Sequence, residues 1–528
     1  MNNRLLPLAV ALGMTAISAA HAQRPLRAVD PKPDLVIFIT VDQMRSDYFT
    51  RFLPQLTGGL GRLYRGGAVF TDAYQDHAIT ETAPGHSVIG SGRFPVHTGI
   101  AMNSAGVNDS TETLVMAPGI GASPKRFRGT TLTDWIRSVD PKSRALSVSR
   151  KDRGAILPIG KSRSAVYWYA PNGTFTTSSY YADSLPSWLR AFNAQRRAQS
   201  FAGKTWNPIL PASAYSERDS VAIENGGNDI AFPHVMTSDT TRELRDLPSY
   251  PWMDQLTLEA ALAGVRGLKL GAGPHTDVLG ISLSTTDAIG HAFGPDSKEQ
   301  HDQILRLDRS LGAFLDSLYA IRDPRSVVIA LTADHAVAPY PEVHVHDNNA
   351  GAMHVDLSPI VQDVRASLQR AGVARSAFTF GDGVLTVDRA ALSAARINAD
   401  SLIRAFGVAV LKVPGVRRVD TISELARADT VHDDIARRWL HMFNSDSVAA
   451  LVVTLTPYSY WGRGGSAEHG SPYDYDAHVP LIFYGAPFKP GKYAERALVA
   501  DIAPTLARVV GVRPMERTDG VVLSAALK

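Results

Sequence analysis

The sequence predicts an α/β fold: a doubly wound, mostly parallel sheet flanked by helices, with a loop-rich insertion and a cap. Three observations predict it. Four apolar, β-branched runs, "LVIFITVDQ" (35–43), "VLGISLSTTD" (278–287), "SVVIALTADH" (326–335) and "VPLIFYG" (479–485), suit strands buried on both faces, as in parallel sheets covered by helices. Between the second and third, Ile304, Leu307, Leu311, Phe314, Leu315 and Leu318 recur at helical spacing, which makes a strand-helix-strand unit. Three of the runs finish on Asp42, Asp287 and Asp334-His335, at the carboxyl ends of strands, where open α/β sheets bind ligands.

From the amino end, Met1-Asn2-Asn3-Arg4 precedes an apolar run from Leu5 to Ala20 and then Ala20-His21-Ala22. This is the pattern of a secretory signal peptide over residues 1–22, cut after Ala22. The run falls short of the ~20 apolar residues that span a bilayer, and no later segment approaches that length. A periplasmic or secreted protein, with no membrane attachment after signal removal, is expected. The chain has no cysteine, which excludes disulfides and thiolate chemistry and leaves His, Asp and Glu to build any metal site. Lys and Arg number 54 against 51 Asp and Glu without a dense basic run, which argues against a nucleic-acid surface. A chain of 528 residues, 45% hydrophobic, can bury one large core with insertions.

The catalytic domain is expected over 23–340 and 446–528. Within it, about 165–250 is rich in Tyr, Trp, Ser, Pro and Asn with weak periodicity and suggests a loop-rich insertion over the site. In 341–445, "SPIVQDVRASLQRAGV" and "DDIARRWLHMF" are helical in pattern and little continues the sheet, so this stretch is expected to be a cap subdomain. The glycine pairs of "GGLGRLYRGG" (58–67) lack phosphate-loop spacing and suit turns and helix ends.

The polar residues at the strand ends form a metal-ligand pattern. In "STTDAIGHAFG", Asp287 and His291 lie four apart and share a face if one turn of helix follows the strand. "TADH" supplies Asp334 and His335, Asp42 ends the first strand, and "AEHGSPYDYDAHVP" adds His469 and His478. Singly each is weak, since Asp at a strand end is often a helix cap and a lone His is more often packed or exposed. Together they divide into two sets: Asp287, His291 and His469 for one ion, and Asp42, Asp334, His335 and a hydroxyl for the other. Thr82, in "TETAPGHSVIG" (80–90), is the candidate hydroxyl; its structural alternative is a helix N-cap, a place that also offers N–H groups to phosphate.

The motifs "VDQMRSDY", "TETAPGHS", "RKDRGAILPIG", "STTDAIGHAFGP", "TADH" and "HGSPYDYDAHVPLIFYG", in that order, resemble the alkaline phosphatase superfamily. The branch they resemble is that of exported bacterial alkaline phosphatases with a threonine nucleophile, related to nucleotide pyrophosphatase/phosphodiesterases. The resemblance implies two zinc ions, with Asp42, Thr82, Asp334 and His335 beside the nucleophile and Asp287, His291 and His469 beside the leaving group. His478 is the rival for the last place. An added structural calcium is compatible with it. It also implies that Lys151, Arg153 and Asn103 contact the phosphoryl oxygens, a cationic set that favours monoesters, which carry about two charges near neutrality. In an extended stretch, Lys151 and Arg153 point to one side; Lys161 and Arg163 share their spacing but are expected to be solvated. The substrates implied are small-molecule phosphate esters, cleaved through a phosphothreonine. A phosphodiesterase or nucleotide pyrophosphatase on the same core is the alternative.

Overall fold

The first apolar run forms strand β1 (Leu35–Val41), with all seven residues buried between helical layers. The computed structural model describes residues 32–348, 351–444, 447–462 and 464–528, so the expected signal peptide lies outside the described residues. The central sheet continues with β2 (Ala68–Phe70), β3 (Ala145–Ser149), β4 (Ala165–Tyr169), β5 (Phe175–Thr176), β6 (Asp277–Leu283) and β7 (Val327–Thr332). Four strands of a second sheet follow, β8 (Phe378–Gly381), β9 (Val384–Val387), β10 (Val416–Thr421) and β11 (Ala449–Leu455), before β12 (Leu481–Tyr484) and β13 (Gly491–Tyr493) return to the first.

The order across the central sheet is β13-β2-β12-β7-β1-β6-β3-β4-β5, and the five strands from β7 to β4 are parallel. Thr40 of β1 pairs with Ser282 of β6 and Thr332 of β7, which brings the carboxyl ends of three predicted strands level. The fourth predicted strand, β12, runs antiparallel to β7. The chain reaches β12 from residues 469–478, on the side where the parallel strands end, so it can only enter the sheet in the opposite sense.

Helix α1 (Thr82–Ser91) and the short α2 (Asp152–Ile156) follow in the chain, then α3 (Trp252–Gly267), α4 (Thr285–Phe293) and α5 (Lys298–Tyr319). The six apolar residues that predicted α5 are all buried against the sheet and its neighbouring helices.

Two expectations about the insertions change. Residues 165–176 are β4 and β5 of the central sheet, because Tyr167, Trp168 and Tyr169 are aromatic residues that favour a half-covered pleated surface. The remainder, to about 250, is mostly turns and 3-10 segments. It packs Trp206 on Ile289 and Phe293 of α4, and Asp302 accepts hydrogen bonds from Trp206 Nε1 (2.6 Å), the Ile209 N–H (2.7 Å) and Tyr215 OH (2.7 Å). It therefore buttresses the back of α4 instead of covering the site.

The cap contains α6 (Ser358–Arg370), α7 (Ala399–Val410) and α8 (Asp434–Leu440), in agreement with the helical patterns, but it also holds the antiparallel sheet β8-β9-β11-β10. Phe378, Leu385, Phe406 and Leu451 form a core of its own. Strand β11 belongs to this unit although it lies beyond residue 445, since hydrophobicity alone does not say which sheet a strand joins.

Candidate active site

Each strand end contributes what its local geometry dictates. Asp42 follows β1 directly, and its N–H donates to the Leu283 carbonyl at 2.9 Å. After β6, Ser284 starts α4; Asp287 lies in the first turn and His291 one turn later, with Asp287 Oδ1 3.2 Å from His291 Nε2. Asp334 and His335 follow β7. His469 arrives from the loop before β12, its ring stacked on His335 at 3.7 Å between centroids and its Nε2 3.3 Å from that of His291.

Asp42, Asp334 and His335 gather their donor atoms within 4.8 Å, and so do Asp287, His335 and His469. The two expected ligand sets are thus contiguous, with His335 on their boundary. His478 is elsewhere: its Nε2 faces the Thr71 carbonyl at 3.0 Å and its ring lies on Tyr74.

The chemistry of this cluster fits divalent cations. His335, His291 and His469 each direct Nδ1 at a backbone carbonyl, Ala336 (2.9 Å), Ala467 (2.5 Å) and Thr80 (2.7 Å), which leaves every Nε2 facing the carboxylates as a lone-pair donor. His335 Nε2 and Asp42 Oδ1 are buried without a hydrogen-bond partner, 3.5 Å apart. Buried polar atoms are rarely left so. Burial, then the charges of Asp287 and Asp334, push the Asp42 carboxyl up. Burial also opposes ionisation of Asp287, but Lys151, His291 and His469 outweigh it and hold that carboxyl well below its usual range. Burial, reinforced by His335 and His291, keeps His469 well below the ordinary imidazole value, hence neutral.

Thr82 is the first residue of α1, with Glu81 as the residue before the helix, and is buried. Lys151 Nζ lies 3.1 Å from Thr82 Oγ1 and 2.7 Å from both Asp42 Oδ2 and Asp287 Oδ2, so the ammonium joins the two ligand sets and the hydroxyl lies against it. Gly85 permits this approach, because a Cβ there would overlap the Asp334 carbonyl oxygen. One residue on, His86 Nδ1 is 3.0 Å from Asp334 Oδ2 and 2.9 Å from the Thr82 carbonyl, and Nε2 is 2.9 Å from Ser282 Oγ. Asn103 Oδ1 accepts the Ala83 N–H at 2.8 Å, and the Asn103 N–H donates to Glu81 at 2.6 Å, which pins the start of α1. Burial, then the nearby Asp382, push Glu81 up to about 7.

Lys151 and Arg153 are not on an extended stretch. Lys151 precedes α2 and Arg153 lies in its first turn, so Lys151 enters the buried site while Arg153 stays part-exposed, 3.7 Å from Asp152. Two residues escaped the sequence reading. Arg150 is part-buried, 3.5 Å from Asp287 Oδ2 and donating to the Ser284 carbonyl. Gln43 donates its N–H to Asp334 and Nε2 to Asp287. Adjacency to Asp42 and to Lys151 was their only signal. His344, in "HVHDNN", stacks on Tyr458 and joins neither cluster.

A cavity of about 270 Å³ opens beside His291, His469 and Asn103; Asp382, Trp439 and Trp461 of the cap line its far side.

Residues 36–375 match the family model for type I phosphodiesterase / nucleotide pyrophosphatase. The chain is 30% identical to alkaline phosphatase PhoV of Synechococcus elongatus, over 99% of each chain. It superposes on the crystal structure of wild-type alkaline phosphatase PafA with a TM-score of 0.87 at 27% identity, covering 95% of this chain and 100% of that one. A PafA mutant with one threonine, one asparagine, one lysine and one arginine replaced matches equally, at TM-score 0.87 and 26% identity over the same shares of the two chains.

Proposed function

The chain belongs to the type I phosphodiesterase/nucleotide pyrophosphatase family and is a phosphate-ester hydrolase, and from that premise we propose an exported, zinc-dependent alkaline phosphatase that cleaves phosphate monoesters through a phosphothreonine at Thr82. The observation that carries the proposal is the position of Thr82 Oγ1, 3.1 Å from Lys151 Nζ, whose ammonium is 2.7 Å from one carboxylate of each ligand set. Asp42, Asp334 and His335 with the Thr82 hydroxyl would hold one ion, and Asp287, His291 and His469 the other. Bound there, zinc supplies Lewis-acid stabilisation of charge on the attacking and leaving oxygens.

The side chains do the rest. Lys151 donates to Thr82 Oγ1 and so favours its ionised form, the form that attacks phosphorus. The P–O bond to the alcohol breaks, and the alkoxide leaves and takes a proton from solvent. Water then attacks the phosphothreonine, phosphate departs, and Thr82 Oγ1 is restored. Lys151, Arg153 and the side-chain Nδ2 of Asn103 would hold the three non-bridging oxygens of a monoester. In the PafA mutant, the replaced threonine and asparagine are separated as Thr82 and Asn103 are, and the lysine and arginine as Lys151 and Arg153, which supports this assignment. Residues 1–22 are assigned as signal peptide, and the unit around β8 to β11 as the cap.

The test compares an aryl phosphate with its methyl diester in wild type, Thr82→Ala and Lys151→Ala. Thr82→Ala should lose about 10⁴-fold in kcat. Lys151→Ala should lose about 10–100-fold in kcat/KM for the monoester and less for the diester. Faster diester turnover in wild type would replace this reading with the phosphodiesterase one.

A further inference from the structure

We propose that the cavity beside His291 and His469 is a leaving-group pocket selective for alcohols carrying an ammonium group, with Asp382 and Glu468 as the specificity-determining carboxylates. The inference rests on the proposed function, because it is the assignment of His291 and His469 to the leaving-group ion that makes this cavity the side on which the alcohol departs.

The lining contains four carboxylic acids, Glu81, Asp382, Glu468 and Asp476, and no Lys or Arg. Three of the four are engaged. Glu81 accepts the Asn103 N–H at 2.6 Å, and Asp476 Oδ2 accepts the Ser471 N–H at 3.0 Å and its hydroxyl at 2.6 Å, although Asp476 Oδ1 is buried without a partner. Asp382 has no hydrogen bond or ion pair among the described residues; it sits at the tip of the β8–β9 turn. Glu468 accepts from the Ser466 hydroxyl through Oε1, and its Oε2 is 3.7 Å from His291 Nδ1, on the ring edge turned away from the carboxylates, so its half-exposed charge lies on the cavity wall behind that ligand.

Aromatic faces complete the chemistry. Trp439 is held by Thr454 through Nε1 at 2.9 Å, and Trp461 meets Phe380 edge-on at 5.6 Å, so two indoles are fixed on the wall that also presents Asp382. Carboxylates beside fixed aromatic rings attract an ammonium by charge and by the ring quadrupole. A carboxylate-bearing alcohol would meet like charge, and a neutral polyol would gain hydrogen bonds but no charge term.

The full chain with its metals would be assayed for kcat/KM on O-phosphoethanolamine, the neutral propyl phosphate, glycerol phosphate and the anionic 3-phosphoglycerate. The expected preference for the ammonium ester over propyl phosphate is about ten-fold, larger against 3-phosphoglycerate, and reduced by salt. Asp382→Asn and Glu468→Gln should each lower the ammonium/neutral ratio about threefold, and the pair should bring it near unity. Asn suits position 382, where φ is +51°. Ratios taken within one variant cancel any loss of folded protein. A wild-type ratio near one, a preference for glycerol phosphate, or a ratio unmoved by both substitutions overturns the proposal. Should the enzyme cleave diesters instead, the function reading fails separately, and the same ratio is then read on diesters bearing ethanolamine and propanol.

Discussion

The two walls that face Thr82 are built in opposite ways. The ligand wall comes from residues within a few positions of three parallel strand ends, fixed by a register that keeps those ends level, and Asp42, Asp287, Asp334 and His335 are at most 5% exposed. The far wall comes from the cap, a unit with its own sheet and core, whose contribution includes a turn residue and the end of an antiparallel strand. The first wall is rigid because the whole central sheet stands behind it. The second is positioned by one contact region, in which Ala78 and Ile79, just before Thr82, pack against Val384, Leu425, Trp439 and Met442 of the cap. Under the proposed function, chemistry common to all substrates would fall to the sheet, and substrate choice to the cap.

That division can be broken at Asp76, which ties the cap to the segment leading to Thr82. Its carboxylate is 2.9 Å from Arg437 Nε, 3.4 Å from Arg438 Nε and 3.5 Å from Arg496, while the backbone around it accepts from His441 and donates to Arg438. Asp76→Asn should cost about 1–3 kcal/mol, because the buried Arg438 keeps only the exposed Asp474 as a charged partner and Arg437 loses its buried one. Burial would raise this carboxyl, but Arg437, Arg438 and His441 outweigh it and lower its pKa. A depressed folded pKa gives stability that is present above the ordinary carboxylate range and lost as pH falls through it. The variant's urea midpoint should therefore lie well below wild type at neutral pH, and the gap should close as pH falls below the ordinary carboxylate range and through the depressed folded value. A gap that stays constant across that range would mean that Asp76 acts through packing alone.

The ligand wall is sharpened at Gly85. A methyl group there would overlap the Asp334 carbonyl, so Gly85→Ala must push α1 away from the end of β7. Overpacking of this kind costs about 1–3 kcal/mol. The expected result is a lower melting temperature together with reduced metal retention on dialysis, since Asp334 and Thr82 move apart. Lower stability with full metal retention would show that α1 yields without disturbing the ligands.

How far the sequence revealed each wall follows from the same contrast. Asp287 and His291 were legible because i and i+4 on a helix share a face whatever surrounds them, and Asp42, Asp334 and His335 because a strand end fixes their place. His469 needed the motif around it, since its approach to His335 joins residues far apart in the chain. Asp382 and Trp461 carried no signal at all: nothing in "GDG" or "YWG" says that the cap folds back over α1. Strand β4 reads as loop because its five residues are too few to show a period and are followed closely by Pro171, Asn172 and Gly173, and β11 reads as part of the other unit because its apolar pattern fits either sheet.

The smallest expected effect concerns a pair of residues with the same spacing as Lys151 and Arg153. Lys161 and Arg163 are both exposed; Arg163 lies over the Tyr180 ring at 5.2 Å. The contacts they make inward are through backbone carbonyls, Lys161 to Tyr180 OH at 3.1 Å and Arg163 to Arg137 at 3.3 Å, which alanine would keep. Lys151 differs because it follows β3, beside β6, and so is carried to the level at which the ligands gather. The doubly substituted Lys161→Ala, Arg163→Ala enzyme should retain monoester kcat/KM within about twofold and lose no more than about 1 kcal/mol of stability, the usual scale for exposed charges. A loss approaching that of Lys151→Ala would mean that net positive charge near the opening, and not the strand-end position of one ammonium, governs the rate.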